Sequence, residues 1–355
     1  MVGHKNFWKN KRVLITGHTG FKGAWLSIWL KYYGANVIGV SLDPPSKKNL
    51  FNSTNLKKFI KHYHQDILDE KKLLNIFKKE KPQVVFHMAA QSIVRLSYKQ
   101  PRLTYETNII GTLNILECIK KTKSVKSAIL VTSDKCYENS KKIKLVETDP
   151  LGGDDIYSSS KGACEILINS YKSCFFDNNR YPQIASTRAG NVIGGGDWAS
   201  DRIVPDIIRA ISNKNNLVIR FPKAIRPWQH VFDPLWGYLM LAEKLYKYKG
   251  KYNSAWNFGP NDKSAKNVSE LVYKLIELWG AYNTKIIFKK SEIKEKKFLM
   301  LNSLKAKKIL GWSPRLNFVN SIKLTVHWYK KYKNKKDMMS ECINQINYFE
   351  KLLKK

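Results

Sequence analysis

Three glycines spaced every third residue, Gly17, Gly20 and Gly23, lie between an apolar run, Arg12-Val13-Leu14-Ile15-Thr16, and a helical pattern that opens at Ala24. Few backbones satisfy that arrangement. A buried strand has to turn sharply into a helix, and glycine in the turn permits positive φ and a close approach of the main chain to whatever it faces. The helix N-terminus behind such a turn offers free N–H groups and the positive end of its dipole to an anion.

The rest of the first half repeats the alternation. Apolar runs at 36–40, 83–87, 127–132 and 184–188 predict strands, and helical patterns at 24–33, 71–79, 108–121 and 157–175 separate them. Strands alternating with helices imply right-handed crossovers, hence an α/β fold with a doubly wound parallel sheet of Rossmann type. The glycine turn then belongs to the first βαβ unit, where it fits a dinucleotide pyrophosphate better than a bare tight turn does. Its candidate contacts are Gly17, Thr19, Gly20, Phe21, Lys22 and Gly23. An acidic ribose reader is expected at the end of the second strand. Asp43 fills that role or is a turn residue before Pro44, with Ser41 two places earlier. Asp66 and Ile67 either border the adenine or begin a helix.

After Asn191 the texture changes to a glycine-rich loop, Gly194-Gly195-Gly196-Asp197-Trp198, and a stretch carrying Pro205, Pro222, Pro227 and Pro234. It predicts a smaller C-terminal substrate-binding lobe. Helices are expected at 235–247, 268–279 and 303–310, and an amphipathic one in the tail. The predicted division is a dinucleotide-binding unit at 1–192, rejoined by about 228–260, a lobe at 193–335, and a C-terminal helix at 336–355.

The 355 residues include 63 Lys and Arg against 28 Asp and Glu, a net charge of +35. The lysines are dispersed rather than gathered in a stripe, and no zinc-finger or other nucleic-acid signature appears, so charge alone predicts no nucleic-acid partner. Five cysteines without a Cys-x-x-Cys pair argue against a disulfide framework or thiolate metal site and suit a reducing cytoplasm. No metal is expected. Residues 1–12 lack the apolar core of a signal peptide, and no run of about 18 apolar residues predicts a membrane span.

Tyr157 and Lys161 lie one helical turn apart, on one face. An ammonium beside a phenol lowers its pKa, so the pair suits proton abstraction. The motif alone is weak. It gains weight from Thr132 and Ser133 at the end of the preceding strand, since C-terminal strand ends point into the ligand crevice of such a sheet.

Glycine turn, strand-end Ser/Thr and Tyr-x-x-x-Lys, in this order, resemble the extended short-chain dehydrogenase/reductase family across nearly the whole chain. Longer blocks resemble the CDP-glucose 4,6-dehydratases within it: Gly17 to Gly23, Leu42 to Pro45, His87 to Gln91, Val94 to Tyr98, Thr132 to Tyr137, Tyr157 to Gly162, Arg188 to Trp198 and Arg226 to Val231. The resemblance implies NAD as a recycled cofactor and loss of water from a nucleotide-activated hexose. It implies that Tyr157, assisted by Ser133 and Lys161, takes the proton of the sugar 4-hydroxyl. Asp134 is then the acid that protonates the leaving 6-hydroxyl, and Lys135 the base that removes the hydrogen at carbon 5. These roles need a protonated Asp134 and a neutral Lys135; the bland alternative is an ion pair between them. A 4-epimerase would need Ser133, Tyr157 and Lys161 but not Asp134 and Lys135. Ala89 and Ala90 are implied on the cofactor side. Gln91, Arg95, Asn191, Arg202 and Arg226 are implied on the nucleotide-sugar side, with Arg95 and Arg188 equally suited to structural ion pairs. Trp198 either stacks on a base or packs in the core. The stretch 296–302 departs from the family pattern, with Asn302 expected as a helix cap. The resemblance also implies a homodimer or homotetramer joined through helices 108–121 and 157–175.

Overall fold

Strand β1 (Arg12–Thr16) buries Val13, Leu14 and Ile15 completely, as its apolar run requires. The computed structural model that shows this describes residues 2–138, 144–176, 180–289 and 300–354. Around β1 stand β2 (Asn36–Ser41), β3 (Lys61–His64), β4 (Val84–His87), β5 (Ser127–Val131), β6 (Gln183–Ala189) and β7 (Ala255–Phe258). They form one seven-stranded sheet in the order β7-β6-β5-β4-β1-β2-β3, every neighbouring pair parallel. This is the predicted doubly wound sheet. Because both faces are covered, its central strands are near-continuous apolar runs.

Helix α1 (Phe21–Tyr32) follows the glycine turn, and α2 (Glu70–Glu80), α3 (Gly111–Lys121) and α4 (Ile156–Phe175) provide the crossovers. Asp69 and Asp155 cap α2 and α4 by accepting the N–H groups of Lys72 and Ser158. One sheet face packs on α2 and α3 through Leu73, Phe77, Ile115 and Ile119. The other carries a tryptophan-rich core with Trp25, Trp29, Trp256, Trp312 and Trp328.

Several predicted boundaries move. The helix expected at 108–121 begins as a π turn at Glu106–Ile110. Pro205 and Pro234 do not break structure: they lie in the first turns of α5 (Ile203–Asn213) and α6 (Phe232–Lys247), where no N–H partner is lost. Ser303 to Leu310 contains a π turn, Ala306–Leu310, ended by Gly311 in the left-handed region. Edge strand β3 was not foreseen, because its residues are half-exposed and make no apolar run. Nor was β7, or helix α8 (Phe318–Lys333).

The chain returns to the sheet through α6 and β7, which pairs in parallel with β6. Beyond it, α7 (Val268–Trp279) and small strand pairs, 217–219 with 286–288 and 225–227 with 265–267, build the added lobe. The tail helix α9 (Met338–Leu353) lies against α1, where Tyr32 donates to Asn347 at 2.6 Å. No helix among the described residues is long and apolar enough to cross a membrane.

Candidate active site

Strand order reverses between β1 and β4, so the loops leaving their C-terminal ends diverge and open a crevice. Thr16 closes its floor. Its hydroxyl meets His87 Nδ1 at 2.7 Å and accepts the N–H groups of Met88 and Ala89 at 3.1 and 3.2 Å. Gly17 takes φ +73°, and a Cβ there would stand 2.7 Å from the Ala89 nitrogen, so only glycine fits this crossing. Helix α1 starts at Gly20 without a side-chain cap and without an acidic residue in its first turn. Its opening N–H groups are left for an external acceptor. Thr19 is turned inward, bonded to Ser41 Oγ at 2.8 Å and to the Leu42 carbonyl at 3.0 Å.

A cavity of about 1130 Å³ extends from this turn into the added lobe. The loop after β5 supplies Ser133, Asp134 and Lys135, and the first turns of α4 supply Tyr157 and Lys161. Phe21, Lys22 and Ala90 face it from the turn side, and Asn191, Arg95, Arg202 and Arg226 from the opposite side. The structure therefore gathers the whole acid/base set predicted from sequence around one space.

Ser133 donates to Asp134 Oδ1 at 3.0 Å and also faces the Tyr157 phenol. The Asp134 carboxyl is buried, and burial raises its pKa against the opposing charges of Lys135, Arg226 and Lys22. The alternative, a strand-end ion pair, is not formed: no Lys or Arg among the described residues comes within ion-pair distance of Asp134, and Lys135 stands half-buried beside it. For Tyr157 the expectation is reversed. Burial pushes the phenol up to about 12, with the Ser133 hydroxyl and the Arg202 charge pulling the other way. Lys161 is itself buried and its pKa is lowered for that reason, so it is a weaker cation than the motif suggests.

Beneath these residues Arg188 and Glu165 form a buried ion pair at 2.7 Å. Glu165 also accepts from Thr132 and, at 2.7 Å, from Ser186, while Arg188 donates to Tyr137 at 2.7 Å. Arg188 is thus structural, and the Thr132 hydroxyl is turned into this network. Gln91 is corrected too: its amide bonds Thr104 and the main chain of Ile93, holding the loop instead of facing the cavity. Trp198 packs against Tyr329 and Tyr332 in the core.

Asp43 is largely exposed two residues past β2, 3.4 Å from His64. Asp66 accepts from Leu68 in a turn, while Ile67 is buried against Gly111; the helix cap nearby is Asp69. Asn302 caps the segment after it through the Leu304 N–H, as expected, whereas 296–299 lies outside the described residues.

Arg202 donates to Asp197 at 2.9 Å and to Ser92 at 2.9 Å, and its charge reaches Tyr157. Arg95 shares Asp201 with Arg220, each 3.3 Å away. Sequence reasoning passed over Arg220, although it directly follows the alternating triplet Leu217–Ile219, a strand whose exit points at the cavity.

The family model described as GDP-mannose 4,6 dehydratase matches residues 14–325. A CDP-glucose 4,6-dehydratase of Salmonella typhimurium is 45% identical over 340 residues, 94% of this chain and 95% of its own. The human dTDP-D-glucose 4,6-dehydratase is 28% identical over 90% of each chain. Among solved structures, a UDP-glucose 4-epimerase of Thermotoga maritima with UDP-glucose superposes with a TM-score of 0.80 at 27% identity, covering 91% of this chain and 99% of its own. A dTDP-glucose 4,6-dehydratase of Streptomyces venezuelae shares the fold at TM-score 0.79 and 20% identity, covering 92% and 99%. By the extent of these matches and the site they enclose, the chain belongs to the GDP-mannose 4,6 dehydratase family of extended short-chain dehydrogenases/reductases.

Proposed function

We propose that the chain is an NAD-dependent lyase that removes water from CDP-glucose to give the 4-keto-6-deoxy sugar nucleotide. The observation that carries this reading is the single cavity lined by Ser133, Asp134, Lys135, Tyr157 and Lys161. A 4-epimerase has no use for Asp134 and Lys135, and the 45%-identical relative is a CDP-glucose 4,6-dehydratase.

The turn side of the cavity fits a dinucleotide. Gly17 leaves the crossing free of a side chain, and the uncapped N–H groups of α1 face the place of a pyrophosphate. Gly17, Gly20, Phe21, Lys22, Gly23, Ala89 and Ala90 would hold it, with Thr19 and Thr132 supporting through their inward bonds. Asp43 would accept from the adenosine ribose, favouring NAD over NADP, and Asp66 and Ile67 would border the adenine. Bound there, NAD supplies the acceptor and later the donor of hydride, and its oxidised form brings positive charge into the cavity. A Cβ at Gly17 meets main chain, and a left-handed L-residue costs about 1–2 kcal/mol. Gly17→Ala is therefore expected to weaken NADH binding about tenfold or more, read by fluorescence titration.

Tyr157 takes the proton of the sugar 4-hydroxyl, with Ser133 hydrogen-bonded to the same oxygen. Cationic charge in the cavity brings the phenol down from its buried value. The ketone so formed acidifies the hydrogen at carbon 5, which Lys135 removes, and Asp134 protonates the 6-hydroxyl as it leaves as water. The raised pKa of Asp134 keeps that carboxyl protonated to higher pH than an exposed one, and its acid role is lost as pH rises through that value. Asn191, Arg95, Arg202 and Arg226 would hold the sugar and diphosphate.

On this reading residues 1–192, with about 228–260, form the dinucleotide unit, 193–335 the substrate lobe and 336–355 the closing helix. The enzyme works in the cytoplasm as a homodimer or homotetramer. Exposed Ile110, Ile166 and Phe175, beside α3 and on α4, supply the apolar contact. Proton NMR tests the activity with catalytic NAD and CDP-, dTDP- and GDP-hexoses in turn. A new carbon-6 methyl doublet with CDP-glucose alone is expected; no methyl signal with any donor overturns the dehydratase reading.

A further inference from the structure

The loop that carries Asp134 and Lys135 is gripped on both sides by one ion pair. Glu165 and Arg188, joined at 2.7 Å, are both buried. Before the loop, the Thr132 hydroxyl donates to Glu165, and the Thr132 N–H donates to the Thr187 carbonyl on β6 at 2.9 Å. After the loop, Tyr137 is fully buried, and its phenol oxygen accepts from Arg188 Nη1 at 2.7 Å. The phenol donates in turn to Asn257 on β7 at 2.8 Å, and the Asn257 amide donates to the Leu145 carbonyl at 2.9 Å. Glu165 is held by the other guanidinium nitrogen, Nη2. A guanidinium is a rigid planar fork, so contacts on two of its nitrogens fix how Glu165 and Tyr137 lie to one another.

The same pair is tied to the oxidation residues. Glu165 follows Tyr157 and Lys161 on α4 by eight and four residues, so all three share one face of the helix. Helix α4 also meets the loop directly. A Cβ at Gly162 would stand 2.7 Å from the Gly152 carbonyl oxygen and 3.3 Å from that of Cys136, and the Gly152 N–H donates to the Cys136 carbonyl at 2.9 Å. Within the loop, the Ser133 hydroxyl accepts the Lys135 N–H at 3.2 Å and starts a short turn over Asp134–Cys136. That turn is fixed at its start by β6 and Glu165 and at its end by Arg188.

We propose, resting on the dehydratase reading, that Tyr137 is a positioning residue for elimination: through Arg188 and Glu165 it sets where Asp134 and Lys135 stand relative to Tyr157 and Lys161. Oxidation at carbon 4 uses Tyr157, Lys161 and Ser133, which stay anchored through α4 and Thr132 when the Tyr137 contact is cut. Elimination needs Asp134 and Lys135 placed at a sugar already held by its carbon 4, where a displacement of about 1 Å costs about 10²-fold.

The test is a single turnover of the holoenzyme with CDP-glucose, following reduced-cofactor absorbance, carbon-5 exchange with deuterated solvent and the carbon-6 methyl signal. Tyr137→Phe keeps the ring and removes the hydroxyl. Arg188→Lys keeps the charge opposite Glu165 and withdraws the nitrogen from Tyr137, so it cuts the same contact from the other side. In each variant oxidation is expected within about twofold of wild type, while carbon-5 exchange and methyl formation slow by about 10–10²-fold and reduced cofactor accumulates. The double variant is expected to be no slower than the slower single one, since both remove one contact. Elimination at the wild-type rate in both single variants overturns the proposal. So does an equal fall in oxidation and elimination, the mark of a merely structural role, and so do additive effects in the double variant. Wild type that oxidises CDP-glucose without forming a methyl product overturns the dehydratase reading itself, and the positioning role with it.

Discussion

Tyr157→Phe is expected to abolish the first chemical step while leaving the fold and ligand affinity intact. The phenol is buried at the cavity wall, so its ring continues to pack when the hydroxyl is removed. What is lost, on the proposed mechanism, is the group that takes the 4-hydroxyl proton together with Ser133. Positioned proton transfer is worth about 10²–10⁴-fold, so kcat is expected to fall by that range with KM within a few-fold of wild type. In a single turnover no reduced-cofactor absorbance develops and no methyl signal follows. The pH dependence has a definite sign. Burial raises the phenol to about 12, so oxidation by wild type speeds up as pH rises toward the working value of the cofactor-bound enzyme. Tyr157→Phe loses that dependence. Wild-type turnover in the variant would remove Tyr157 from the mechanism.

The same tyrosine shows what sequence conveys and what it does not. The fold was legible because the central strands are buried on both faces and therefore read as apolar runs, β1 most clearly. Edge strand β3 escaped because half-exposed residues such as His62 and Tyr63 carry no such run. Residue spacing placed Tyr157 and Lys161 on one helical face, but spacing carries no information on desolvation. Burial dominates both groups and overturns the simple argument that the ammonium depresses the phenol. Gln91 and Arg188 lie in blocks characteristic of the family, yet Thr104 and Glu165, distant in the chain, take up their polar atoms. Partners so remote are visible only after folding.

Asp134→Asn is expected to divide the reaction in two. Asparagine keeps nearly the same shape, still accepts the Ser133 hydroxyl and still fits the slot beside Gly190. It cannot supply a proton to the leaving 6-hydroxyl. Oxidation at carbon 4 therefore survives, and elimination falls by about 10²–10⁴-fold, the range for a lost general acid. In a single turnover with CDP-glucose the reduced-cofactor absorbance rises and persists, while the methyl doublet stays absent. Hydrogen at carbon 5 continues to exchange with deuterated solvent, because Lys135 is untouched. Lys135→Met gives the complementary pattern: oxidation proceeds but carbon 5 retains its hydrogen. A methyl product formed at the wild-type rate by Asp134→Asn would show that the proton comes from elsewhere. Loss of carbon-5 exchange in Asp134→Asn would instead make the carboxylate the base, reversing the two roles within the same cavity.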